Sequence, residues 1–242
     1  MGACGLASNT VKGKTMPDGT QTELKKVVET QLSAWTYFPS IVYTIEKPEF
    51  LKTVNEVSEE RLKIAKTQRK LDAIYPVMMT DNLFTDPRME EFSAFVGSTA
   101  WNILNEQGYA MANLATTFES MWTQEHHKHS LMEQHVHGFG AQLIGFYFLE
   151  VPAKSSQVVF HDPRAGKVQS NLPEANMAIA TPASNAIHFM PKPGLLIFAN
   201  AWLPHAFGRH AANKPMKFVH FNLTVQPAAQ TVTVTTPPAE VV

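Results

Sequence analysis

Two histidines separated by one residue, His135 and His137, are the sharpest chemical feature of the sequence, and all ten histidines fall within residues 126–220. Side chains two residues apart point to the same face of a β-strand. Both imidazoles would then converge on one point, as a first-row transition metal requires. The alternative is a pair of partly exposed strand histidines that bind nothing.

A third candidate, His205, comes about seventy residues later in a comparable setting. Pro191–Gly194 is typical of a turn, Leu195–Asn200 of a buried strand, and a short loop leads from there to His205. We expect His205 at a strand end, facing whatever the His135–His137 strand faces if the sheets pack against each other. A lone His205 would be a structural histidine, but the two features together predict a metal site.

Other polar residues allow a structural and a chemical interpretation. Asp162-Pro163 follows a candidate strand and is typical of a turn, in which Arg164 would pair with a nearby carboxylate. The alternative is that Asp162 supplies an oxygen ligand or accepts a hydrogen bond from a ligand. The run His126–His129 is predicted to be a solvated loop or a rim for substrate, and His210 to be exposed.

Two helices should precede a β-rich region. The first begins at Pro48 and ends before Pro76, because apolar residues recur there at helical spacing and proline suits a first turn. The second begins at Asp86-Pro87 and ends near Gly108. The candidate strands are Tyr37–Ile45, Thr116–Gln124, Leu131–His137, Ala141–Val151, Ser156–His161, Ala186–Met190, Leu195–Asn200 and Met216–Val225.

This pattern predicts a mainly β protein with N-terminal helices, an α+β jelly roll, rather than βαβ units. Residues 1–22 are predicted to be a flexible arm and residues 227–242 a flexible tail. Residues 23–226 would form one domain, with a helical part at about 46–108 and a jelly-roll core at about 114–226.

Composition narrows the class of protein. The net charge of -1 argues against an electrostatic nucleic-acid binder, which needs a basic surface. Cys4 is the one cysteine, so the chain forms no intramolecular disulfide, as in a reducing compartment. No apolar run approaches the ~20 residues that span a bilayer. We therefore expect a cytoplasmic protein without a membrane partner.

The ordered motifs of residues 37–225 resemble those of the iron(II)- and 2-oxoglutarate-dependent oxygenases. More narrowly, they are similar to a branch of oxygenases found in marine bacteria and in phages of cyanobacteria. The matching stretches are Tyr37–Pro39, Glu119–Trp122, His135–His137, Gly145–Phe148, Phe160–Arg164, Pro193–Phe198, Trp202–His205 and His220–Asn222.

The resemblance implies a double-stranded β-helix that holds Fe(II) and 2-oxoglutarate. His135 and His205 match the two histidine ligands of the superfamily, and His137 stands where the superfamily has a carboxylate. Two ligand sets stay open, one of three histidines and one that recruits a carboxylate, with Asp162 as the first candidate. Either leaves open positions for a co-substrate and O2.

The resemblance also implies a cation for the far carboxylate of 2-oxoglutarate, six residues before Asn222, where this sequence has Met216. Strand parity puts His220 and Asn222 on the face of Met216, and Lys217 on the opposite face. A bulge could redirect Lys217. Otherwise Arg209, Lys214 or Arg164 would substitute, because an anion needs a cationic partner. Tyr147 and Asn222 are further candidates for hydrogen bonds to the co-substrate.

The function predicted from the resemblance is oxidative decarboxylation of 2-oxoglutarate coupled to hydroxylation of a C–H bond. The substrate would be a small molecule or a protein, with O2 as co-substrate, in a protein that could form homo-oligomers in the cytoplasm, including that of a phage-infected host. Two alternatives remain open at this point. One is a non-catalytic jelly-roll protein of phage assembly, and the other is a cupin-like metalloprotein that does not use 2-oxoglutarate.

Overall fold

The computed structural model describes residues 33–170 and 172–228. Contacts divide the chain into two units, residues 1–39 and 40–242. The described part of the first unit, residues 33–39, contains no helix or strand. The predicted arm at residues 1–22 and the predicted tail beyond residue 228 lie outside the described residues. The domain boundaries at residues 22 and 226 stay predictions.

The described part of the second unit contains two helices and ten strands. The helices are α1, Leu51–Gln68, and α2, Glu90–Glu106, each preceded by a short 3-10 turn, Pro48–Phe50 and Pro87–Met89. The strands are β1 Val42–Glu46, β2 Val77–Met79, β3 Leu114–His126, β4 Met132–His135, β5 Leu143–Glu150, β6 Val158–His161, β7 Ala186–Phe189, β8 Leu195–Asn200, β9 His205–Phe207 and β10 Met216–Pro227. None of the described helices is long and apolar enough to cross a membrane.

The helix ends follow the local sequence. The Asp86 side chain accepts a hydrogen bond from the N–H of Arg88, and Pro87 occupies the first turn, so the second helical segment begins where the capping pattern predicts. Gly108, at φ +93°, ends that segment in the left-handed region that glycine tolerates best. The first helix ends at Gln68, earlier than the proline at residue 76 required.

The strands form two antiparallel sheets. The major sheet has the order β1-β8-β5-β10-β3-β2, and the minor sheet has the order β4-β9-β6-β7. The predicted mainly β jelly roll with N-terminal helices is confirmed, and the structure adds the three-residue strands β2 and β9. Strand β3 extends to His126, two residues beyond the predicted strand.

The two faces of the major sheet pack against different layers. Alternate residues of β10 separate accordingly. Val219, Phe221 and Leu223 join a helix-side core with α1 and α2, whereas Met216 and Phe218 join an inter-sheet core with β6 and β9 of the minor sheet. This is the strand parity that the sequence predicts. The inter-sheet face is the one that carries the histidines.

Gly145 in β5 leaves space for a side chain of the neighbouring strand β10. A Cβ atom at this position would lie 2.1 Å from the Phe221 ring and 2.7 Å from the carbonyl oxygen of Ile197, so no larger residue fits without displacing the backbone. The missing side chain lets Phe221 pack onto the strand within the helix-side core. The neighbouring residue Phe146 points the other way, into the inter-sheet core.

Candidate metal centre

His135 and His205 are direct cross-strand neighbours. His135 ends β4 and His205 begins β9, and the antiparallel register pairs the two residues. Their ring centroids lie 4.4 Å apart. The sequence made this approach conditional on two packed sheets, whereas both strands are neighbours in the minor sheet. A three-residue strand, which the loop-like sequence around Pro204 conceals, places His205 beside His135 in the same sheet.

His137 completes the group from the segment that follows β4. Its N–H donates to the carbonyl oxygen of Ala201, at 2.9 Å, so this segment continues alongside the connection that leads from β8 to β9. The His137 ring stacks on His205, with 5.2 Å between centroids and 12° between planes. One candidate ligand nitrogen from each of His135, His137 and His205 lies within 4.8 Å of the other two.

Backbone hydrogen bonds fix which ring nitrogen is free. The Nδ1–H of His135 donates to the carbonyl oxygen of Glu133 at 2.8 Å, and that of His205 donates to Leu203 at 3.0 Å. Because a carbonyl oxygen only accepts, these tautomers leave the Nε2 lone pairs free. The Nε2 atom of His205 is buried and has no hydrogen-bond partner among the described residues. An orphaned, oriented imidazole nitrogen of this kind fits a metal ion.

The local environment keeps the imidazoles of His137 and His205 neutral. Burial lowers the pKa of His205 to about 3. Burial, together with the charge of the neighbouring His135, lowers the pKa of His137 to about 4. Neutral imidazole is the form that binds metals, so near pH 7 no proton has to leave His137 or His205 before an ion is bound.

A fourth histidine lies against this group. His220 in β10 is buried, and its Nε2 atom lies 3.4 Å from the Nε2 atom of His137. Its ring stacks on Phe146, with 4.5 Å between centroids. Sequence analysis placed His220 on the correct face of its strand but gave it no role. The parity argument that grouped it with Met216 and Asn222 was the available signal.

The carboxylate of Asp162 forms ion pairs with two cations of its own turn. Its carboxylate accepts hydrogen bonds from the Arg164 guanidinium at 2.6 and 2.9 Å and from Lys167 Nζ at 3.4 Å. The bonds from Arg164 hold the pKa of Asp162 well below its usual range. The turn thus has the predicted internal ion pair. Among the described residues, Asp162 does not belong to the group of converging ligand atoms. Its role as a ligand stays a prediction.

The structure separates the residues proposed to bind 2-oxoglutarate. Lys217 bonds to Glu59 and Glu150. Burial alone would lower the pKa of Lys217, but these carboxylates raise it. The Tyr147 hydroxyl donates to the carbonyl oxygen of Lys47 at 2.6 Å, within the helix-side core. Neither side chain joins the histidines.

Arg209 is exposed and donates to the carbonyl oxygen of His129 at 3.4 Å. Asn222 is different, since its amide faces His137 and partly offsets the effect of burial on the pKa of that histidine. Its buried Oδ1 has no hydrogen bond of normal geometry among the described residues. Met216, at the position expected for an arginine, is fully buried. Of these residues, only Asn222 reaches the histidine group.

Two histidine predictions were wrong. His126 is fully buried at the end of β3 instead of lying in a solvated loop, and His210 is buried instead of exposed. The loop of His129 and Ser130 forms reciprocal backbone hydrogen bonds with His210, each 2.8 Å long, which hold both segments against the sandwich. His129 itself is exposed, as predicted.

A cavity of about 310 Å³ opens beside the minor sheet, and none of the three converging histidines lines it. It is lined by Gln134, His161, Asp162, Arg164, Lys167, Ser170 and Asn185. His161 follows Phe160, which points into the inter-sheet core, so the cavity lies on the outer face of the sheet. The Asp162 turn therefore has its own pocket, separate from the histidine group.

Comparison with known sequences identifies part of the chain. The model of a family described as "Putative 2OG-Fe(II) oxygenase" matches residues 120–222. This segment runs from β3 to β10 and contains His135, His137, His205 and His220. The curated proteins contain no match to the chain.

Several solved structures share the architecture. A prolyl-4-hydroxylase from Pseudomonas putida is 8% identical, with a TM-score of 0.53, over 76% of this chain and 93% of that protein. AviO1 from Streptomyces viridochromogenes Tue57 is 11% identical, with a TM-score of 0.55, over 83% and 93%. The non-heme alpha ketoglutarate dependent carbocyclase SnoK from nogalamycin biosynthesis is 10% identical, with a TM-score of 0.57, over 81% and 85%. At these identities the similarity establishes the fold.

The three observations agree. The sandwich is the double-stranded β-helix predicted from the motifs, the family match covers its core, and the three histidines offer a metal site within that core. The predicted use of Fe(II) and 2-oxoglutarate is thereby confirmed. Residues 120–222 match the family of 2OG-Fe(II) oxygenases, and this match supports the assignment of the protein as a 2-oxoglutarate-dependent dioxygenase.

Proposed function

We propose that the Nε2 atoms of His135, His137 and His205 hold the iron and that the enzyme hydroxylates a C–H bond of its substrate. The supporting observation is the convergence of three ligand nitrogens within 4.8 Å, two of them oriented by backbone carbonyls. When bound, Fe(II) and 2-oxoglutarate supply the oxidising chemistry. The protein binds them, orients them and excludes water.

In this proposal 2-oxoglutarate is held mainly by the metal and by Asn222. Met216 offers no charge at the expected arginine position, and the cation of Lys217 is paired with Glu59 and Glu150. Asn222 faces His137 and has an unsatisfied amide oxygen, so it is available to contact a ligand of the iron. Without a bidentate cation, we expect 2-oxoglutarate to bind more weakly than an arginine-anchored acid would.

The substrate is proposed to be a small molecule or a protein that presents an apolar surface. Exposed apolar side chains flank the histidines along the chain, since Val136 lies between two of them, Phe139 comes two residues after His137, and Trp202 precedes His205 by three. Single exposed apolar side chains are common, whereas a group of them beside a metal centre is the kind of surface that a ligand covers. An apolar substrate would cover them.

We further propose that the enzyme belongs to the branch of marine bacteria and cyanobacterial phages and acts in the cytoplasm, including that of an infected host cell. The motif order and the single cysteine support this placement. His137, in place of the carboxylate of the wider superfamily, also fits this branch.

The test is an anaerobic titration of metal-free protein with Fe(II) and then with 2-oxoglutarate, followed by visible absorption. A chelated keto acid gives a weak charge-transfer band, which we expect in the parent and in His188→Ala, a control for an exposed histidine of β7. His205→Ala should lose the band while keeping its circular dichroism. A band of parental strength in His205→Ala would show that the metal lies elsewhere. Fe(II) binding without any band would rule out the keto-acid chelate.

A further inference from the structure

The cavity beside the minor sheet has an excess of positive charge in its wall. Among the described residues that line it, Arg164 and Lys167 are cations and Asp162 is the only carboxylate. Both cations contact that carboxylate, Arg164 through Nη2 at 2.6 Å and Lys167 through Nζ at 3.4 Å. Two cations and one carboxylate leave one positive charge without a counterion in the lining.

The two cations differ in the N–H groups that they have left to donate. Lys167 Nζ also donates to the carbonyl oxygens of Ala183 and Ser184, both at 3.0 Å, so each of its three N–H groups has an acceptor. Arg164 donates to Asp162 through Nε at 2.9 Å and through Nη2 at 2.6 Å. This pair fixes the plane of the guanidinium. It leaves one N–H of Nη2 and both of Nη1 without an acceptor among the described residues.

Neutral polar side chains line the rest of the cavity. Asn185 is held through its backbone, because its N–H donates to the Glu174 carboxylate at 3.1 Å and its carbonyl oxygen accepts from the N–H of Asp162 at 2.9 Å. The amides of Asn185 and Gln134 and the imidazole of His161 have no hydrogen-bond partner within residues 33–170 and 172–228. Each of these groups has donors and acceptors to offer a ligand.

The size and the chemistry of the lining fit a small polar molecule with an anionic group. The volume of about 310 Å³ is at the lower end of the range for ligand pockets. The remaining N–H groups of Nη1 and Nη2 in Arg164 include a parallel pair, which matches two oxygens of one carboxylate or phosphate group. The amides and the imidazole suit the hydroxyl or carbonyl groups of the same molecule.

We propose that this cavity binds a small organic anion through a carboxylate or phosphate group that Arg164 holds. The site is on the outer face of the minor sheet, whereas His205 packs against Phe146 of the inter-sheet core. It is therefore separate from the proposed metal centre and does not depend on which ion that centre holds. Gln134 directly precedes His135, so a bound anion would contact the outer side of the strand that carries this histidine.

The experiment is a two-dimensional proton–nitrogen NMR titration of the full chain without metal. One series uses inorganic phosphate and the other uses succinate, both at an ionic strength held constant with sodium chloride. We expect saturable shifts of the Arg164 Nε–H and of backbone amides in residues 161–170, with a dissociation constant of about 5 mM or lower for at least one anion. The anion that binds more tightly identifies the group as a phosphate or a carboxylate.

Two arginine variants separate a specific site from general attraction of anions. Arg164→Gln should weaken binding of the tighter anion at least about tenfold, because the bidentate cation is lost. The control Arg209→Gln, which removes an exposed arginine of another segment, should change the dissociation constant less than about twofold. Equal affinities in the parent and Arg164→Gln would overturn the proposal. So would parental shifts that rise linearly with both anions up to about 50 mM, a result that needs no variant to fold.

Discussion

The inter-sheet layer contains two pairs of fully buried histidines that form hydrogen bonds through different ring nitrogens. In the first pair, His126 bonds through Nε2 to the side chain of Gln124, and the Nε2–H of His210 donates to the carbonyl oxygen of Lys214. In the second pair, His205 and His220 donate through Nδ1 to backbone carbonyls and leave Nε2 free. Both pairs are buried, but only the second offers converging lone pairs.

Burial alone therefore does not define a metal site. It lowers the pKa of His126 to about 3, as it does that of His205. The difference lies in which ring nitrogen is already bonded and in what the other one faces. His126 faces the rings of Phe207 and Phe218, whereas His205 faces further histidines. The comparison can be tested by removing members of either group.

The largest expected effect comes from removing a histidine of the second group. His137→Ala should weaken Fe(II) binding by more than about 100-fold, beyond the loss typical for residues that only support a ligand. Asp162→Ala should weaken it less than about tenfold, because its carboxylate is already paired with Arg164 and Lys167. Anaerobic calorimetry measures both affinities. The reverse order would make Asp162 a ligand.

A smaller effect is expected from the first group, in the dependence of stability on pH. The pKa of His126 is about 3 when folded, below the ordinary value of 6.5, because the ring is buried near His210 and His127. As pH falls from 6.5 towards 3, the unfolded chain takes up a proton that the folded chain does not, so stability decreases. The contribution approaches about 1.4 kcal/mol per pH unit.

His126→Gln removes this contribution, so its free energy of unfolding should decrease less steeply over the same pH range. Urea denaturation of metal-free protein at several pH values measures the two slopes, and the difference isolates His126 from the other buried histidines. Replacing the exposed His188 by glutamine should leave the slope as in the parent. Equal slopes for the parent and His126→Gln would contradict a neutral buried imidazole.

The smallest effect is expected at Lys217, on the face of β10 away from both groups. Lys217→Met should change the affinity for 2-oxoglutarate less than about twofold. It should cost about 1 kcal/mol of stability or less, because Glu59 and Glu150 are partly exposed and become solvated, and the buried Glu125 keeps its ion pair with Lys66. Asn222→Ala is the matched control in the same strand. It should weaken the binding of 2-oxoglutarate about three- to tenfold, because one hydrogen bond is lost.

Titration of the charge-transfer band gives the dissociation constants of 2-oxoglutarate for the parent and both variants. A large loss in Lys217→Met with none in Asn222→Ala would assign the co-substrate anchor to the lysine, as the alternative involving a bulge requires. The register shift in the β10–β5 pairing lies between Lys217 and Phe218, so the bulge that this alternative requires is at the expected place. The measurement decides whether it brings Lys217 to the co-substrate.

The local sequence correctly predicted the faces of a strand and the start of a helical segment. Parity in β10 separated His220 and Met216 from Val219 and Phe221, and capping chemistry located the start of the second helical segment at Asp86. Both features depend on the conformation of a few consecutive residues. The same argument correctly put His135 and His137 on one side of their segment.

The remaining features of the fold and the site depend on contacts between residues that are far apart in the sequence. The histidine-rich run and the polar segment around His210 both suggest solvent, yet His126 and His210 are buried, and backbone hydrogen bonds join His210 to His129 and Ser130. Strand β9 is too short for its period to be read from sequence. The contact between His137 and His220 depends on how two sheets pack, and no spacing along the chain encodes that distance.

The register between β4 and β9 has a consequence for the lifetime of the protein. His135 and His205 become neighbours only when segments seventy residues apart have paired, so an ion bound by both recognises the folded chain and not the unfolded one. By linkage, each increase in free iron then raises the stability of the fold. If the proposed centre holds the iron, removing iron would raise the unfolded fraction, which is the form that proteases degrade.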